Sequence, residues 1–170
     1  MCVEYKIKRK KLYDRGNEAL SYRIEIPRIE GAEEINSFYF AIAEECEKYC
    51  NEVLFGVACN ARREDRGIRC CYSFTARVTH LSDGLASVLI FVCFRRGGEA
   101  ISRYTHAHTW DMRDACLIPP RYIYKRMGKN KLQKSEFDGA FLLDGEITNL
   151  KNVNVEEILS KRGTESGTDW

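Results

Sequence analysis

The hydropathy period switches from two to about 3.6 and back again along this chain, and no other feature restricts its fold as much. Apolar and polar residues alternate in Val3-Glu4-Tyr5-Lys6-Ile7-Lys8 and again in Leu20-Ser21-Tyr22-Arg23-Ile24-Glu25-Ile26. That alternation marks strands with one buried face. The turn-prone Asp14-Arg15-Gly16-Asn17 lies between the two runs, so together they predict a hairpin, which Pro27 closes. From Ala32 onward the apolar residues fall at Ile35, Phe38, Ile42, Cys46, Tyr49 and Val53, which predicts an amphipathic helix over residues 32–53. Glu33 and Glu34 stand where the positive end of the helix dipole favours acids.

Alternation returns in residues 70–81, and residues 85–94 are apolar on both faces apart from Ser87, as expected of a central strand. Ser82-Asp83-Gly84 and Arg95-Arg96-Gly97-Gly98 are turns leading into and out of that strand, and a third strand follows over residues 101–112. Three strands joined by short loops form a meander. The expected fold class is therefore α+β, a curved antiparallel sheet with one long helix packed on one face. The opposite face, carrying Lys6, Lys8, Arg23, Glu25, Thr75 and Arg77, is expected to be exposed. After Pro119-Pro120 the pattern predicts a short helix near residues 122–127, a small hairpin over 141–147 and a terminal helix over 155–159. Residues 1–162 read as a single domain and residues 163–170 as a flexible tail.

Composition removes several classes. The chain has 170 residues, 44% of them hydrophobic and 31% charged, with only 3 Pro, so it is neither disordered nor collagenous. A net charge of +2 gives no bulk argument for nucleic acid or a membrane surface. The basic run Arg121, Lys125, Arg126, Lys129, Lys131 and Lys134 reads as a solvated face. No apolar segment approaches the roughly 20 residues that span a bilayer, and none follows Lys8-Arg9-Lys10-Lys11 as a secretory signal would require. A cytoplasmic location is expected, with the 8 cysteines reduced and mostly buried, since no CxxC pair is present.

Tyr104-Thr105-His106-Ala107-His108-Thr109-Trp110-Asp111 is the most suggestive stretch for chemistry. On a strand His106 and His108 share a face, roughly 6–7 Å apart, within reach of one zinc or iron ion if a third ligand joined them. Tyr104, Trp110 and Met112 fall on that same face, which suits packing or a partner. Arg95, Arg96, Tyr104, His106, His108 and Trp110 form the expected partner-binding set, because arginine and aromatic side chains dominate binding hot spots. In that reading Trp110 is partly exposed. No GxSxG, HExxH, P-loop or GxGxxG motif is present, and no cofactor is expected.

Read in order, Ser21-Tyr22-Arg23-Ile24-Glu25-Ile26-Pro27, Ile29-Glu30-Gly31 and Ile35-Asn36-Ser37-Phe38 resemble the strand-to-helix entry of the RsiV/PdaC-type domain. That domain is shared by the anti-sigma-V factor ectodomain and a peptidoglycan deacetylase. Gly97-Gly98, Tyr104 and Thr109-Trp110-Asp111-Met112 are similar to a strand pair of the same family. The likeness spans roughly residues 18–127, but Glu99-Ala100-Ile101 replaces the family's Ala-His-Gly and Arg113-Asp114-Ala115-Cys116 its TGK turn. The resemblance implies a bacterial α+β domain used as a binding module. The expected function is a non-enzymatic binding or regulatory module for a protein or small ligand, with a homo-oligomer left open. The alternative is a metal-dependent or cysteine hydrolase using His106, His108 and Asp111, with Cys93 or Cys116 as nucleophile.

Overall fold

The computed structural model describes residues 1–128 and 139–160, so the tail expected over 163–170 and Lys129, Lys131 and Lys134 lie outside it. The chain opens with the expected hairpin, β1 (Val3–Asp14) paired antiparallel to β2 (Asn17–Ile29). Its turn holds Arg15 at φ 49° and Gly16 at φ 81°. Two successive positive φ angles make the type I′ turn that matches strand twist.

The helix is longer than its period suggested. It runs through α1 (Glu33–Tyr49), a π-helical turn (Cys50–Leu54) and α2 (Phe55–Glu64). At the π turn the Phe55 amide donates to the Cys50 carbonyl, inserting an extra residue into the ladder. The buried stripe is Ile35, Tyr39, Ala43, Cys50, Leu54, Ala58 and Ala61. This corrects the expected stripe: Tyr49 and Val53 are exposed, while Phe38, Ile42 and Cys46 lie half-buried at its margin.

Strands β3 (Cys70–Leu81), β4 (Leu85–Arg96) and β5 (Glu99–Asp111) form the expected meander, and β6 (Cys116–Leu117) adds a short edge piece. The sheet order is β1-β2-β3-β4-β5-β6. The class is α+β with a long helix on one face, as expected. The sheet is mixed, however, because the helical crossover returns the chain so that β3 lies parallel to β2.

A second layer covers part of the other face. It comprises α3 (Pro120–Arg126), the hairpin of β7 (Ala140–Leu143) and β8 (Glu146–Asn149), and α4 (Val155–Ser160). Thr79 Oγ1 donates to the Leu142 carbonyl at 2.7 Å, and the Leu142 amide donates to Ser87 Oγ at 3.1 Å. Ser87 Oγ also shares a 2.6 Å hydrogen bond with Thr109 Oγ1. A row of hydroxyls thus docks β7, and Phe141, Leu142 and Ile123 are buried over it.

The face expected to be exposed is therefore partly interior. Glu25 is fully buried and Arg77 nearly so, with Arg77 Nη2 2.6 Å from Glu25 Oε1 and Arg23 Nη2 2.6 Å from Glu25 Oε2. The Arg77 guanidinium lies over the Tyr5 ring at 4.4 Å. Lys6 and Lys8 belong to the other side of the sheet, because directly paired residues share a face and theirs are Ile26 and Ile24. Lys8 accordingly pairs with Glu47 of α1.

Removing one member of a buried ion pair strands the other without compensation, at a cost of about 3–5 kcal/mol. Glu25→Ala should lose stability in that range in urea unfolding, and more than Lys11→Ala, whose 2.8 Å pair with Glu18 is exposed. Equal effects of the two substitutions would contradict a buried Glu25–Arg77 pair.

Candidate functional site

The expected binding residues separate into two places. Directly paired residues share a face, and Tyr104, His106, His108 and Trp110 pair with Val92, Ile90, Val88 and Ala86, all on the helix side. Trp110 is 5% exposed and Tyr104 58%, so the row runs from core to solvent. The Trp110 indole N–H donates to the Tyr39 hydroxyl at 3.0 Å, and that hydroxyl lies 3.2 Å from His108 Nδ1. With its oxygen accepting from the indole, Tyr39 gives its own proton to Nδ1, which leaves His108 neutral and protonated at Nε2. Phe38 closes the cluster, 5.0 Å from Trp110 and 5.6 Å from His108 between ring centroids. Trp110 is thus an anchor for α1, which corrects the expectation of partial exposure.

His106 stands at 5.0 Å from His108, ring to ring, and at 6.0 Å from Tyr104, and it is exposed. No group of three His, Cys, Asp or Glu side chains suited to a metal ion occurs among the described residues. His80 lies instead beside Gly145, at the β7–β8 turn. Cys93 pairs with Arg103 and so points away from the face that carries His106 and His108. Asp111 is committed elsewhere. Its Oδ1 accepts from the Arg113 amide at 3.0 Å and its Oδ2 pairs with Arg126, which together hold the carboxyl at about 2.

Arg95 and Arg96 also part company. Arg96 turns to the helix side and pairs with Glu64 at 2.5 Å. Arg95 lines an open groove on the second face, where the layer of α3 and β7 does not reach. The groove encloses about 700 Å³ and is walled by Arg9 and Lys11 of β1, Arg23 of β2 and Arg95 of β4, while Lys10, paired with Tyr22, points to the helix side. Its floor is Ser21, Cys71, Ser73 and Cys93. No carboxylate among the described residues lines it. Lys11 is engaged by Glu18 and Arg23 by Glu25, whereas Arg9 and Arg95 are in no ion pair among the described residues. Burial pushes the Cys71 thiol up, so it stays protonated at neutral pH and adds no negative charge. The groove was missed because its residues come from four strands; the one local signal was Arg9-Lys10-Lys11 inside a strand pattern.

No family model and no curated protein matches the chain. Among solved structures it is similar to a member of the DUF3298 family, a domain of unknown function, from Bacteroides fragilis. There the identity is 11% and the TM-score 0.46, over 78% of this chain and 72% of that one. A DUF3298 family protein from Pseudomonas aeruginosa PAO1 is also similar, at 12% identity and a TM-score of 0.39, over 71% of this chain and 62% of that one.

Burial, reinforced by neighbouring His106, pushes the His108 imidazole down to about 4. Between the ordinary value near 6.5 and this one, the unfolded chain takes up a proton that the folded chain refuses. Stability should therefore be level above about pH 6.5 and fall as the pH drops towards 4. Melting curves across that window should show a steeper decline for the native protein than for His108→Phe, which cannot titrate. Parallel declines would exclude His108 as the source.

Proposed function

We propose that this chain is a single-domain, non-enzymatic binding module whose small-molecule ligand occupies the groove on the open half of the sheet's second face. The observation that carries this reading is the hollow itself. Its volume of about 700 Å³ lies within the roughly 300–1,000 Å³ of small-molecule sites, and it is framed by rigid paired strands. The resemblance to the RsiV/PdaC-type domain, carried by Tyr22, Ile24, Pro27, Ile35 and Phe38, supports a binding role for the same fold. All eight cysteines are free thiols, which supports action in a reducing compartment such as the cytoplasm.

A hydrolase built on His106 and His108 has less support. Of its supposed nucleophiles, Cys93 pairs with Arg103 and Cys116 with Asp111, both on the side of the sheet away from the histidines, and the acid Asp111 is held by two arginines.

The groove carries its own reporters, because Cys71 and Cys93 lie on its floor while Cys2 and Cys116 are exposed elsewhere. A fragment library should yield compounds that slow alkylation of Cys71 by iodoacetamide and leave Cys2 and Cys116 unchanged, read by peptide mass spectrometry. A library with no such compound would count against the groove as a binding site.

A further inference from the structure

The strand register shows how charge is laid out across the groove. Side chains paired in adjacent strands share a face, so Lys11, Ser21, Cys71 and Arg95 form one row running from β1 to β4. The row begins and ends in a cation and is small and neutral between. Beside it runs a second row, Arg9, Arg23, Ser73 and Cys93, with both its cations on the β1 side. Neighbouring strands are about 4.8 Å apart, which sets the two cationic rims about 14 Å apart at the backbone. Two of these cations, Arg9 and Arg95, stand on opposite rims and have no carboxylate partner among the described residues.

From this layout, and resting on the groove being the binding site, we propose that the ligand is an elongated molecule with an acidic group at each end. It lies across the strands, one acid met by Arg9 and Lys11 and the other by Arg95. A chain of apolar or hydroxylated character passes over Ser21, Cys71 and Ser73, whose small side chains leave room and whose hydroxyls can donate to it. A compact anion would satisfy one rim and leave the other cation unpaired. An arginine–carboxylate contact of this kind is stronger than a neutral hydrogen bond, so having two such ends should multiply affinity.

Three probes separate length from charge: azelate, a long linear dicarboxylate; malonate, a short one; and nonanoate, which keeps the chain but has a single acid. Calorimetry at low ionic strength should give azelate an affinity about tenfold above either of the others, since one extra charged contact contributes on that order. Arg95→Ser should bring azelate down to the level of nonanoate, with circular dichroism confirming the fold, as Arg95 is exposed and is in no ion pair among the described residues. Azelate should also slow Cys71 alkylation. Equal affinities for malonate and azelate would overturn the two-ended ligand, as would an Arg95→Ser variant that binds azelate unchanged. Neutral fragments that protect Cys71 while all three acids fail would overturn the charge assignment and leave the groove standing. No protection by any compound would overturn both.

Discussion

The buried carboxylate of Glu25 divides the second face of the sheet. On one side of it lie Thr79, Ser87 and Thr109, whose hydroxyls receive the β7 hairpin and let Phe141 and Leu142 complete a small core. On the other side lie Arg9 and Arg95, which are exposed, and Arg23, which is half-buried. A buried carboxylate is tolerable only when paired, and Glu25 takes one arginine from each direction, Arg77 from the covered half and Arg23 from the open half. The same residue therefore neutralises the edge of the core and fixes a wall of the groove. Were Glu25 apolar, Arg77 would have no reason to be interior, and the covering layer would have no charged boundary to stop against.

The helix side depends on a different interaction. Tyr39 is the largest fully buried side chain, and its hydroxyl links α1 to β5 by accepting from Trp110 and donating to His108. This ties the N-terminal half of the helix to the fifth strand, while Glu47 ties its later turns to β1 and β2 through Lys8 and Tyr22. The helix thus lies diagonally across the sheet and leaves Tyr104 and His106 beyond its shadow. The histidine pair is split by this arrangement, one imidazole held as a neutral acceptor and the other left in water.

Much of the fold was legible because period-two and period-3.6 patterns report local geometry directly. The β1–β2 hairpin, the β3–β5 meander, the Asp14–Asn17 and Gly97-Gly98 turns and the β7–β8 hairpin all follow from their own residues. What was not legible depends on distant partners. Alternation in Val3-Glu4-Tyr5-Lys6-Ile7 does not say which layer covers which side, so Lys6 and Lys8 were assigned to the wrong face. Nor does it distinguish a parallel neighbour from an antiparallel one, and β3 beside β2 is settled by the crossover helix alone. A helical period also leaves the phase of the stripe open: the buried Tyr39, Ala43, Cys50 and Leu54 each lie one residue beyond the expected Phe38, Ile42, Tyr49 and Val53, an offset that begins before the π turn. Grouping site residues by closeness in sequence failed for the same reason: Arg95 and Arg96 are adjacent and face opposite sides.

The open half of this face carries unbalanced positive charge. Arg9, Lys11, Arg23 and Arg95 converge over a floor that is small and uncharged. Glu25 offsets one of these charges from below, and Glu18 another from the rim. Arg9 and Arg95 keep theirs, and the remaining imbalance sits at the mouth of the hollow. The proposed two-ended acid would supply the charge that this half of the sheet lacks, whereas β7 and α3 supply apolar side chains to the other half. One half of this sheet face is thus closed by an apolar layer, and the other is left open and cationic.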